Sequence, residues 1–175
     1  MLIVKGVNNM YDKLTRQDIK KMEEEIEQRK LILRKSLIED VKEARAQGDL
    51  SENFEYYAAK KEKNRNESRI RYLERMIKTA IVIEDESADD EVGLNNIVKV
   101  YFEEDDEIEE YKIVTTVRGN SLDNRISNES PLGKALLGHK TGDRVKVTVN
   151  GDNGYYVVIK EIIKSNNEED EMRSY

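Results

Sequence analysis

ARAQGDLSENFEYYAAK, residues 44–60, is the stretch on which the fold depends. Gly48 lies near its centre. Between Val7 and Val92 it is the only glycine, and that span holds no proline. Two segments free of helix breakers therefore flank one residue suited to a left-handed chain reversal. The first runs from about Arg16 to Gln47, with Thr15 placed to cap it. Ile19, Met22, Ile26, Leu33, Leu37, Val41 and Ala44 recur at spacings that keep them on one helical face. About 32 residues at ~1.5 Å each give a rod of roughly 48 Å. The second segment runs from about Ser51 to Ala80. It has Phe54 and Ala58, a polar middle over 60–69, then Ile70, Leu73, Ile77 and Ala80. The pattern predicts a long antiparallel helical hairpin with a thin seam near its turn.

Beyond Ala80 the period shortens. Val98, Val100 and Phe102 alternate with polar residues. Tyr111, Ile113, Thr115 and Val117 do the same, followed by Val145, Val147 and Val149. These read as strands, with Tyr155 to Ile163 as a further one. Ser130-Pro131 opens a short helix, serine as cap and proline at its first position. Asn150 to Gly154 is a hairpin turn. The fold class is thus α+β in two domains. The predicted organisation is an N-terminal extension over 1–10, the hairpin over 11–82, an acidic linker over 83–95, a small α+β domain over 96–164 and a disordered acidic tail over 165–175.

Composition restricts the function. Of 175 residues, 38% are charged and 37% hydrophobic, a charge-rich balance that suits an exposed rod attached to a small domain. The absence of cysteine excludes a disulfide framework and a thiolate metal site, and suits a cytoplasmic setting. No apolar run approaches the ~18 residues of a membrane span, and the apolar start at Met1–Val7 is too short for a signal peptide. A net charge of −7 argues at first against a nucleic-acid partner. The average conceals a division. Residues 1–80 carry 19 basic and 15 acidic side chains, whereas residues 81–175 carry 11 and 22. The hairpin is mildly basic and can approach nucleic acid; the acidic half is repelled from it.

The turn itself supports two readings. Asp49 could cap the second helix, with Glu52 three residues on completing a capping box. The same two carboxylates are hard oxygen donors suited to Mg²⁺. Two of them make an incomplete shell, which suggests chemistry donated to a partner.

Residues 44–60, together with the later Arg69-Ile70-Arg71-Tyr72-Leu73-Glu74, resemble the tip region of the bacterial transcript cleavage factors GreA and GreB. A second block agrees. Ile126-Ser127, then Ser130-Pro131-Leu132-Gly133-Lys134-Ala135-Leu136-Leu137-Gly138 and Gly142-Asp143, resembles the C-terminal signature of that family. The resemblance spans about Tyr11 to Lys164 and is closer to GreA. It implies a coiled coil that enters the secondary channel of RNA polymerase. Its two tip acids, Asp49 and Glu52, would help the polymerase hold Mg²⁺ while the polymerase hydrolyses the extruded RNA 3′ end of a backtracked complex.

On this resemblance the chain is an accessory factor, not a standalone enzyme. Asn53 and Tyr56 would support the tip, and Arg45 and Lys60 would face RNA. The C-terminal half would be an FKBP-like domain that docks on polymerase, with Ser130, Pro131 and Leu132 in the docking block. The implied partners are bacterial RNA polymerase and the nascent RNA 3′ end, with no membrane partner and a monomeric chain. The single histidine, His139, reads as a surface loop residue. Some positions depart from the family pattern. Arg34-Lys35-Ser36 replaces a proline in the first helix, and the turns at Asn120–Asp123 and Asn150–Gly154 are altered. The competing expectations are a non-cleaving channel binder that retunes polymerase, and a coiled-coil adaptor unrelated to it.

Overall fold

The computed structural model describes residues 12–48, 53–151 and 153–173. They form two compact units. One comprises Ile19–Ala80; the other combines Lys13–Asp18 with the chain from Ile81 onward. The expected N-terminal extension over 1–10 lies outside the described residues.

The helical unit contains α1 (Arg16–Gln28), whose first turn belongs to the other unit, a π-helical turn (Arg29–Leu33), α2 (Arg34–Ala46) and α3 (Phe54–Thr79). The two predicted breaker-free segments are therefore both helical. The seam differs from the sequence reading in two places. Leu33, assigned to it by spacing, is 38% exposed, and Leu31 and Ile32 are exposed still further. A π turn accommodates one residue more than an α turn, so it shifts the phase of the face. Phe54 and Ala58 are also exposed, while Asn66, Arg69, Ile70, Leu73 and Met76 are buried.

The polar middle of the second helix is not merely a thin seam. Arg69 donates Nε and Nη2 to the two carboxylate oxygens of Glu25, at 2.9 and 3.0 Å. Arg29 donates to Glu25 at 2.7 Å and to Asn66 Oδ1 at 3.1 Å. Arg34 grips Glu67 with two bonds, and Lys30 pairs with Glu74. A bidentate guanidinium fixes register as well as charge.

Burial pushes the Glu25 carboxyl up, but the hydrogen bonds and charges of Arg69 and Arg29 outweigh it and hold the group below the usual carboxylate range. A depressed folded value means stability that is present above the unfolded value and lost as pH falls through the folded one. Glu25→Gln is thus expected to cost about 1–3 kcal/mol near neutral pH. It should converge on the wild type in acid, which thermal melts across the acidic range would check.

In the second unit, β1 (Lys13–Leu14) pairs in parallel with β2 (Ile81–Val82). The main sheet is mixed, in the order β5-β4-β3-β7-β6. Its strands are β3 (Ile97–Phe102), β4 (Glu107–Val114), β5 (Arg125–Ser127), β6 (Arg144–Asn150) and β7 (Asn153–Ile163). Only β4 and β5 run parallel. The predicted alternation holds where it decides the fold: Val98, Val100, Val145 and Val147 are buried with Val157 and Ile159. Helix α4 (Pro131–Leu136) adds Leu136 to this core. The expected strand over Tyr111–Val117 ends at Val114, and a 3₁₀ turn (Thr116–Arg118) follows.

That turn places Arg118, fully buried, beside fully buried Asp18, Nε to Oδ1 at 2.8 Å. Asp18 also accepts from the Thr15 backbone N–H and from the Thr115 hydroxyl. Thr15 Oγ1 in turn accepts from the Asp18 N–H. This is a capping box at the start of α1. It explains why Lys13–Asp18 packs with the second unit, ahead of the boundary read at residue 82.

The tail was expected to be disordered. Residues 165–173 contain neither helix nor strand, and several of them hydrogen-bond to the rest of the second unit. Glu168 accepts from Thr15 and Asn95, Asp170 accepts from Lys112 and pairs with Arg118, and the Arg173 N–H donates to the Val117 carbonyl. Composition alone does not register buried cations that recruit acids from a distant segment.

Candidate functional site

The end of the hairpin is built by one asparagine. Asn53 has extended backbone dihedrals and caps α3, its Oδ1 accepting the Tyr56 N–H at 2.9 Å. Its Nδ2 donates to the Ala44 carbonyl at 2.6 Å. Ala44 is buried in the last turns of α2, so one side chain satisfies an orphan donor of the second helix and a carbonyl near the end of the first. Gly48, at φ +137°, leaves the first helix in a conformation that penalises any side chain.

The chain between these fixed points carries Asp49 and Glu52, and both lie outside the described residues. The cap, however, is settled by its flanks. Asn53, not Asp49, caps α3, so the capping-box reading of the Asp49–Glu52 pair is corrected. The box that the sequence does contain is Thr15-x-x-Asp18.

The remaining tip residues lie within a few turns. Tyr56 is half-buried, its ring meeting Tyr57 edge-on at 5.6 Å between centroids. The Lys60 ammonium stands 5.8 Å from the Tyr56 ring centroid. Arg45 is exposed in the last turn of α2, where a cation complements the helix dipole. Arg45, Asn53, Tyr56 and Lys60 thus all belong to the turn end of the hairpin. Sequence reasoning missed the exposure of Phe54 and Tyr57. The available signal was an aromatic pair three residues apart, just after the cap. Among the described residues no three carboxylate, thiolate or imidazole groups converge on one point.

Comparison with known proteins follows this division of the chain. Residues 13–82 match the family described as "Transcription elongation factor, N-terminal", and residues 79–164 match "Transcription elongation factor, GreA/GreB, C-term". A transcription elongation factor GreA of Lachnoclostridium phytofermentans is 44% identical over 154 residues, covering 87% of this chain and 96% of that relative. The chain belongs to the GreA/GreB family.

A second GreA, from Thermoanaerobacter pseudethanolicus, is 49% identical over 137 residues, 78% of this chain and 87% of the relative. Among solved structures, the GreA factor homolog 1 of Thermus thermophilus is 27% identical, covering 88% of this chain and 99% of its own, with a TM-score of 0.40.

The second Gre block lies around α4. Ser130 caps that helix, accepting the Gly133 N–H at 3.0 Å and donating to the Ser127 carbonyl at 2.6 Å. Gly133 sits where a Cβ would come within 2.1 Å of the Ser127 oxygen, so no larger residue fits. Leu132 packs on the core, and Pro131 alone of the three is exposed. In this Gre domain Ser130 and Leu132 therefore have structural duties of their own. His139 is exposed, with Nδ1 3.2 Å from Asp143. No helix among the described residues is long and apolar enough to cross a membrane.

Loss of the Asn53 side chain should show the importance of the clamp. Asn53→Ala is expected to cost about 1–2 kcal/mol of hairpin stability, the upper part of the range for a lost N-cap. Asn53→Asp keeps the acceptor for Tyr56 but loses the donor to Ala44, and should fall between alanine and wild type in a thermal melt.

Proposed function

We propose that this chain stimulates cleavage of nascent RNA by bacterial RNA polymerase. The hairpin enters the secondary channel, and Asp49 and Glu52 act at the extruded RNA 3′ end of a backtracked complex. The observation that carries this reading is the Asn53 clamp. It supplies the cap of α3 and a donor to the end of α2, and in the sequence the two acids stand between these two fixed ends.

Asp49 and Glu52 are hard oxygen donors that would hold Mg²⁺, but two carboxylates make an incomplete site, so further ligands would have to come from water, phosphate or polymerase. The bound ion would supply charge stabilisation at the phosphodiester. The chain's own part is to carry two oxygen donors to the reaction on a stiff double helix. Arg45 and Lys60 provide cations for RNA phosphate on the same end, and Tyr56 holds Lys60 by the ring contact. The second unit docks on the polymerase exterior, with Pro131 the exposed one of Ser130, Pro131 and Leu132. The chain works as a monomer in the cytoplasm.

The test is a backtracked elongation complex with Mg²⁺, with and without the full chain, scored for 3′-terminal RNA fragments. Stimulated cleavage supports the proposal. Inhibition of nucleotide addition without cleavage would instead identify a channel binder that retunes polymerase. Failure to bind core polymerase would reject both.

A further inference from the structure

Helix α3 presents a face that neither the seam nor the acidic pair explains. Phe54 is 86% exposed and Tyr57 53% exposed, immediately after the cap. At about 3.6 residues per turn, Tyr57, Ala58, Lys61, Arg65 and Ser68 all fall within roughly 60° of Phe54 around the helix. Every one of them is exposed, and this stripe contains no acidic residue. Exposed Glu55 and Glu62 fall at least about 80° from Phe54 and so belong to the neighbouring face. The stripe thus begins with two open aromatic rings at the tip and continues with two cations over roughly 16 Å.

We propose that Phe54 and Tyr57 form a stacking platform for bases of single-stranded RNA, with Lys61 and Arg65 following its phosphates. This rests on the reading above and names the contact that holds the RNA beside the acids. The pattern matches what single-stranded nucleic acid requires: π faces for the bases and a cationic track, free of repelling carboxylates, for the backbone. A protein wall would be served equally well by aliphatic side chains and would not call for an acid-free stripe. Stacking is sequence-tolerant, since every base has a π face, which suits a factor that meets any transcript.

The test uses leucine, which keeps bulk and apolarity but has no π face. The full chain carrying Phe54→Leu and Tyr57→Leu is compared with wild type and with Phe54→Trp for binding to two elongation complexes, one backtracked with an extruded RNA 3′ end and one without. The leucine pair should bind the backtracked complex about 10-fold more weakly, the scale of a lost base–aromatic stack. It should bind the other complex as wild type does, and Phe54→Trp should retain wild-type affinity for both. A 4-thiouridine at the RNA 3′ end should cross-link to the 54–57 segment in the wild type. Equal weakening on both complexes would assign the rings to polymerase protein and overturn the proposal, and so would no weakening at all. Because the readout is binding, it is separate from the proposed function, which fails if the wild-type chain stimulates no cleavage.

Discussion

Asp49→Ala combined with Glu52→Ala is expected to reduce stimulated RNA cleavage on the order of 10²-fold or more, while the hairpin melts as the wild type does. The rate effect is the scale found when groups that stabilise charge at reacting atoms are removed. The unchanged melt is the more discriminating half. Had Asp49 capped α3, the double variant would lose about 0.5–2 kcal/mol of helix stability. Asn53 is the N-cap of α3 and accepts the Tyr56 N–H, and the double variant leaves that side chain in place. Surface changes away from such features usually stay within about 0.5 kcal/mol. Single-turnover cleavage in a backtracked complex, paired with a thermal melt of the free chain, measures both halves. Cleavage at the wild-type rate would remove the acids from the mechanism. A large loss of stability would mean that any fall in activity reports folding, not chemistry.

The comparison between those two carboxylates and Asn53 also shows what the sequence makes legible. The hairpin follows from helix breakers: one glycine, no proline and two apolar stripes on either side. The sheet follows from two-residue alternation around Val98, Val100, Val145 and Val147. Helix α4 follows from Ser130 and Pro131, whose cap geometry is as predicted. What the sequence does not resolve is choice among equivalents. Asp49, Ser51 and Asn53 are all competent caps, and only the place where α3 begins selects Asn53. Ala58 and Ala59 both suit the seam, and the phase set by Ile70, Leu73 and Met76 turns Ala58 outward and Ala59 inward. The π turn at Arg29–Leu33 shifts the other helix by a residue, which no apolar count anticipates.

Charged residues were the least legible. Glu25 and Arg69 are 44 positions apart, and nothing in either neighbourhood marks them as partners. The same holds for the tail acids. Residues 165–173 look like a solvated run until Lys112, Arg118 and Arg125 are found facing them. The role proposed for Asp49 and Glu52 was legible only through resemblance, because an acidic pair at this spacing has an equally good local explanation.

Asp18→Ala is expected to be the most damaging single change in the second unit, costing about 3–5 kcal/mol, the loss seen when one partner of a buried ion pair is removed. Arg118 would remain fully buried without its 2.8 Å partner, keeping Asn95 Oδ1 at 2.8 Å, Asp170 and the Thr115 hydroxyl at 3.3 Å, and Glu168 at 4.0 Å. Those contacts satisfy hydrogen bonds, but Asp170 is itself shared with Lys112 and Arg125. Glu168, 4.0 Å from Arg118, is likewise shared with Thr15 and Asn95, so neither charge replaces the one lost. Asp18 also serves the capping box, so the cap must be separated from the ion pair. Thr15→Ala removes the reciprocal cap and leaves the charge pair, and should cost about 1 kcal/mol. A double-mutant cycle with Arg118→Met isolates the pairwise energy, because methionine fills much of the volume without a charge. Asp18→Ala should be far less harmful in the Arg118→Met background than in the wild type. If Asp18→Ala proves no worse than Thr15→Ala, the buried pair contributes only specificity, and the cap alone holds the first turn of α1 in place.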